Sequence, residues 1–193
     1  MRLRSWRQAY ILGRMSRRKL FNLAVALIGL VSALLAVRSL PHNAAVVADG
    51  RVRVTHVSDG DTFRATGPDG EFTVRILGID TPETVKPNAP VDCYGPEAST
   101  RTKEVLDGAQ VTLTADPSQD NRDRYGRYLR YVALADGSDY GESLVREGYA
   151  REYTFHKPGA HALEYRAAED EAHSAGRGLW GVCPGAAKKK RAH

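Results

Sequence analysis

The sequence predicts a small α+β domain whose strands come first and close into a barrel that later helices pack. Three observations carry this. Short runs of alternating apolar and polar residues occupy Arg51 to Thr66. The tetrad Gly67-Pro68-Asp69-Gly70 separates two of these runs as a hairpin signal. Longer helix-periodic stretches, ended by glycine, follow the hairpins, and about five strands arranged in this way suit a barrel better than alternating crossover units.

Arg51-Val52-Arg53-Val54-Thr55-His56-Val57 alternates like a half-buried strand. Asp59-Gly60-Asp61 makes a turn, and Thr62 to Thr66 resumes strand. After the hairpin, Glu71 to Ile79 reads as one more apolar strand, and Pro82 to Tyr94 as loop. Gly95-Pro96-Glu97 opens a helix to about Asp107-Gly108, since proline suits a first helical turn. Gln110–Ala115 and Tyr128–Leu134 are further strands. Helices are expected over Glu142–Glu147, ended by Gly148, and over about Ala160–Ala175, ended by Gly176.

A length of 193 residues, with 42% hydrophobic and 26% charged residues, fits one globular domain with an appendage. The formal charge of +5 and the pI near 9.3 suggest a polyanion partner, but the charge is unevenly placed. Residues 1–48 hold eight Lys/Arg and no acid, and Lys188-Lys189-Lys190-Arg191 holds four more. The remaining 16 basic residues share the body, 49–187, with all 23 acids, a net of −7. Any nucleic-acid binding by the body must therefore come from local arginines or a bound cation.

Leu20 to Val37 is an apolar run behind the basic leader, between a signal-peptide core and a spanning helix in length. Val46-Val47-Ala48 offers a cleavage site, while the long stretch from Arg38 favours an uncleaved anchor. Both forms stay open, and both place the body outside the cytoplasm, secreted or membrane-anchored. The expected organisation is a leader over 1–48, a domain over 49–183 and a basic tail over 184–193. Outside the cytosol the two cysteines, Cys93 and Cys183, default to a disulfide, with two free thiols as the alternative. Closing a loop of about 90 residues removes about 4 kcal/mol of unfolded-chain entropy in the simple model. Zinc is disfavoured, because no Cys-x-x-Cys occurs and His156, His161 and His173 lack ligand spacing to the cysteines.

Chemistry concentrates in two acidic clusters, Asp59-Gly60-Asp61-Thr62 and Asp80-Thr81-Pro82-Glu83-Thr84, flanking a strand that carries Arg75. Asp-Gly-Asp is also a common structural turn. It is not an EF-hand: counting from Asp59, the twelfth position is Gly70 where glutamate is needed. Pro82 forces Thr81 into extended backbone and so fixes the directions of the flanking carboxylates. If the second and third strands pair, Asp61 and Asp80 can meet around one hard cation, Ca²⁺ or Mg²⁺. Arg75 within an apolar strand either meets a carboxylate or reaches a pocket as a phosphate-binding fork. Arg127 lies in a loop with Arg122, Arg124 and Tyr125, where a solvated charged turn is the plainer alternative.

These blocks, together with Tyr94-Gly95-Pro96-Glu97-Ala98, Asp123-Arg124-Tyr125-Gly126-Arg127 and Leu144-Val145-Arg146-Glu147-Gly148, resemble the thermonuclease (staphylococcal nuclease) family in order and spacing from about Arg51 to Trp180. The resemblance implies an OB-fold barrel with three helices, acting as a monomer that cleaves DNA and RNA with calcium and leaves 3′-phosphate ends. By matching position, Asp61 and Asp80 would give carboxylate ligands and Thr81 a main-chain carbonyl. Glu83 would activate water, and Arg75 and Arg127 would hold the phosphate. Arg124, Tyr125 and His156 are the further candidate substrate contacts. Where members place two tyrosines before a Lys-Pro pair, this chain has Thr154 and His156, with Tyr153 and Phe155 one position off. The rival reading is a non-catalytic barrel that binds single strands, which would have no need of the acids.

Overall fold

Alternation of buried and exposed positions builds the barrel. The computed structural model describes residues 49–84 and 91–185, together with Asn22. Strand β1 (Gly50–Asp59) directs Val52, Val54 and Val57 inward and pairs antiparallel with β2 (Thr62–Gly67). The glycine-bounded hairpin leads from β2 to β3 (Gly70–Ile76), with Thr62 opposite Arg75. Later in the chain, β5 (Gln110–Thr114) pairs with β6 (Tyr128–Ala133). The sheet closes in the order β1-β2-β3-β6-β5, with β5 returning to β1. Only the β3–β6 pairing within this barrel is parallel, giving an OB-like topology. The interior is filled by apolar side chains such as Phe63, Val74, Ile76 and Leu113.

One expectation needs correction. The third strand does not continue to Ile79 but ends at Ile76. Gly78 adopts φ +80°, and a Cβ there would come 3.0 Å from the Tyr165 ring, so the chain turns at that point. It resumes as β4 (Ile79–Asp80), which pairs with β7 (Arg151–Glu152) in a separate two-stranded sheet and sets Asp80 opposite Arg151. The run Ile76-Leu77-Gly78-Ile79 conceals the break because its three apolar residues are all buried.

Helix α1 (Gly95–Leu106) packs on β1 through buried Ala98, Thr102 and Leu106. Helix α2 (Tyr140–Arg146) starts two residues earlier than expected, because the Asp139 carboxylate accepts the Glu142 N–H and caps it. Helix α3 (Ala162–Ser174) lies against α2, and a four-residue turn of helix, α4 (Leu179–Val182), precedes Cys183. A disulfide joins Cys93 to Cys183, with their Cα atoms 5.8 Å apart. The leader, its signal or anchor segment, and the tail beyond Gly185 lie outside the described residues. No helix among the described residues is long and apolar enough to cross a membrane.

Candidate active site

The Asp59-Gly60-Asp61 turn is fixed from two sides. Thr102 of α1 donates its hydroxyl to the Gly60 carbonyl at 2.7 Å and is itself met by the Tyr140 hydroxyl at 3.1 Å. From the other side Thr81 presses close, so that a Cβ on Gly60 would fall 2.8–2.9 Å from its side chain. That approach lets the Thr81 N–H and hydroxyl both donate to Asp61 Oδ2, at 3.1 and 3.0 Å. Asp61 is buried.

Arg75 joins the two acidic clusters. Its Nη2 lies 2.9 Å from Asp61 Oδ2 and 3.0 Å from Asp80 Oδ1. Its Nη1 donates to the carbonyls of Ile76 and Ile79, each at 2.9 Å. The turn at Gly78 brings those carbonyls and Asp80 back around the guanidinium.

Arg127 enters from the loop before β6. Its Nε pairs with Asp123 Oδ2 at 2.6 Å, and Asp123 Oδ1 accepts the backbone N–H groups of Tyr125 and Arg127. Its Nη1 reaches Thr62 Oγ1 at 3.2 Å, and Thr62 in turn donates to Asp61 Oδ1 at 2.9 Å. Arg127, Thr62, Asp61, Arg75 and Asp80 thus form one unbroken polar chain at one end of the barrel.

Glu83 stands on the Asp59 side of this chain. Its Oε1 accepts the Thr84 N–H at 3.1 Å, while the Thr84 hydroxyl donates to Asp59 Oδ1 at 2.6 Å. Burial pushes the Asp59 carboxyl up; the Thr84 and Gly60 donors oppose this, and the Asp61 charge and the nearby Glu83 carboxyl add to it.

Asp61 and Asp80 therefore meet at Arg75, Asp59 and Glu83 lie close to each other next to Asp61, and Arg127 already has Asp123 as an ion-pair partner. This excess of hard, oxygen-bearing negative charge fits a divalent cation of the Ca²⁺ or Mg²⁺ kind. Among the described residues no three His, Cys, Asp or Glu side chains form a ready cage. A cation here would rely on Asp61, Asp80, a main-chain carbonyl such as that of Thr81, and water.

The chain opens onto a cleft of about 450 Å³ lined by Arg75, Asp80, Arg127, Tyr125, Tyr153 and Phe155 among others. Arg124 and His156 also line it. Tyr125 is 68% exposed, with the Arg124 and Arg127 guanidinium carbons 4.8 and 5.3 Å from its ring centre. His156 tilts against Phe155 at 4.0 Å between centroids. Asp61, Thr81 and Glu83 are not among the residues that line it, and the Cys93–Cys183 bridge stands outside the polar chain.

Sequence reasoning missed Asp123 as the partner of Arg127 and Asp59 as the neighbour of Glu83; it noted Tyr153 and Phe155 one position off the expected tyrosines without counting them as substrate contacts. An aspartate four residues before an arginine across Tyr-Gly is a readable turn signal for the first. For the rings, the usable signal was two-residue spacing along an extended segment, held by the Tyr153 N–H donating to the Gly78 carbonyl at 2.9 Å.

Comparison with known proteins places the chain in a family. A profile of the staphylococcal nuclease homologue family matches residues 73–182. The chain is similar to the SPbeta prophage-derived endonuclease YokF of Bacillus subtilis (strain 168), 40% identical over 130 residues, covering 67% of this chain and 43% of that one. It is likewise similar to endonuclease YncB of the same organism, 39% identical over 130 residues, 67% of this chain and 61% of that one. Similarity to the thermonuclease of Staphylococcus intermedius is 38% over 127 residues, 66% of this chain and 74% of that one. The match thus spans less than two thirds of the length of the two Bacillus proteins.

Proposed function

We propose that this chain, which belongs to the staphylococcal nuclease homologue family, is a calcium-dependent endonuclease that hydrolyses phosphodiester bonds of DNA and RNA. The observation that supports it best is the single guanidinium of Arg75 held between Asp61 and Asp80, beside a cleft that Arg127 also lines. An acid pair bridged by an arginine answers the needs of phosphate chemistry, because the guanidinium can turn its donors to phosphate oxygens when a cation takes up the acids.

Asp61, Asp80 and the Thr81 carbonyl would hold calcium, which when bound neutralises charge on the phosphate. Arg75 and Arg127 bind non-bridging oxygens and stabilise the charge that grows on them in the transition state. Glu83 takes a proton from the attacking water as general base. Arg124 and His156 flank the strand, and Tyr125 offers its exposed face to a base. The basic, acid-free leader and the disulfide support an exported body, secreted or anchored.

The test is digestion of single-stranded DNA and of RNA by the purified chain. Cleavage of internal bonds with added calcium, abolished by EGTA, is expected. Binding of oligonucleotides without cleavage in calcium would refute the enzymatic reading.

A further inference from the structure

Asp92 meets the backbone of Glu83 on both sides. The Glu83 N–H donates to Asp92 Oδ2 at 3.2 Å, and the Glu83 carbonyl accepts the Asp92 N–H at 2.9 Å. The Asp92 carbonyl then accepts the Gly95 N–H at 3.0 Å, closing a turn onto α1. At Gly95 the helix start abuts the same segment, since a Cβ there would lie 3.1 Å from the Glu83 carbonyl and 3.2 Å from that of Pro82. Asp92 itself is exposed, so water competes for both of its bonds to Glu83 and each is worth little alone.

Besides its turn to Gly95, Asp92 is tied down through the next residue. Cys93 is bonded to Cys183, which lies 90 residues away at the end of α4. That helix is anchored in turn: Leu179 is fully buried and its N–H donates to the Gly148 carbonyl at 2.9 Å. A covalent tie to a fixed point thus stands one residue from the pair of bonds that sets the Glu83 backbone.

We propose that Asp92 and the Cys93–Cys183 disulfide form a positioning clamp for Glu83, so that turnover by this chain depends on the bridge being oxidised. This rests on Glu83 acting as the base. Reduction by a dithiol delivers two electrons and two protons to the S–S bond, yields two thiols, and leaves the dithiol as its own cyclic disulfide. The freed Cys93 segment then lets Asp92 leave Glu83 for water, while Asp61, Arg75 and Asp80 keep their mutual contacts. The effect therefore falls on kcat and spares KM.

The experiment measures kcat and KM of the full chain on a single-stranded oligodeoxynucleotide with calcium, below the melting temperature of every sample. Compared are wild type before and after dithiol treatment, Cys93→Ser/Cys183→Ser, Asp92→Ala, Asp92→Asn and Glu83→Gln, with circular dichroism confirming folding. Asp92→Ala and loss of the bridge are each expected to lower kcat about 10–100-fold, the scale of a small misplacement of a reacting group, with KM nearly unchanged. Asp92→Asn keeps an acceptor oxygen and should retain most activity, and reoxidation should restore the reduced enzyme. Wild-type kcat in the folded, reduced protein alongside an impaired Glu83→Gln overturns the clamp and leaves the base intact. A rise in KM alone also overturns it. Unimpaired Glu83→Gln removes the base, and the clamp with it.

Discussion

Hydrogen-bonded carboxylates gather in two regions of this domain and differ in whether a charged donor is among their partners. At the cleft, Asp61 and Asp80 share a guanidinium, a charged donor on a long side chain that also reaches the cleft, and Asp61 is held besides by Thr81 and Thr62. Around the start of α3, Asp116 and Asp139 face mainly neutral donors. Asp116 Oδ2 accepts the Ala160 N–H at 2.7 Å and the Tyr131 hydroxyl at 3.0 Å, and Oδ1 accepts the Ser118 N–H at 2.8 Å. Asp139 accepts the Glu142 N–H and the Tyr165 hydroxyl at Oδ1, and His161 Nδ1 meets its Oδ2 at 2.6 Å. Donors fixed by backbone or packed rings cannot be traded for a ligand, so these acids serve the fold. A guanidinium partner can be traded, which leaves Asp80 and one side of Asp61 able to exchange it for a ligand.

Glu83→Gln should separate the regions most sharply. With the proposed base removed and the surrounding acids left in place, kcat should fall about 10²–10⁴-fold. Calcium-dependent binding of a nucleotide and the midpoint of urea unfolding should stay close to wild type. Undiminished hydrolysis would take Glu83 out of its role and blur the division between working and structural acids.

The two regions also differed in how legible they were. The cleft acids stand at Asp-Gly-Asp and Asp-Thr-Pro-Glu, where glycine and proline dictate local backbone, so short-range chemistry announces them. Asp116 and Asp139 occupy ordinary loop positions, and two of their partners, Ala160 and Tyr165, lie 44 and 26 residues away. Locally they read only as a helix cap, Asp139 to Glu142, and a short turn, Asp116 to Ser118; the completed packing of β5, β6 and α3 brings in the other donors. The break at Gly78 escaped for a related reason: its left-handed turn serves a contact with Tyr165, far along the chain. Strand order was readable from alternation and turns, while the separate β4–β7 pairing involves too few residues to leave a pattern.

Asp139→Ala tests the structural region in reverse. It removes the cap of α2 and leaves the fully buried Tyr165 hydroxyl without its acceptor. A lost cap and an orphaned buried donor together cost about 2–4 kcal/mol. Urea unfolding at neutral pH should register that loss, while kcat per folded molecule stays near wild type. A large fall in kcat with unchanged stability would mean that the hub acts on the cleft.

The smallest effect expected is also the one whose sign is most constrained. Burial pushes the Asp116 carboxyl up, but hydrogen bonds from Ala160, Ser118 and Tyr131 outweigh it and hold the group at about 2, against an ordinary 3.8. A folded-state value below the unfolded one means that the unfolded chain binds the proton first on acidification. The stability Asp116 contributes is therefore complete above about pH 4 and is lost as pH falls toward 2, some ~2 kcal/mol in total. Asp116→Asn cannot titrate, so its unfolding free energy should fall less steeply than wild type between pH 4 and pH 2, and the two curves should converge toward the acid end. Parallel curves across that interval would mean that the three donors hold the protonated and ionised carboxyl equally well. The contrast between neutral, fixed donors and exchangeable charged ones would then lose its energetic basis in this region.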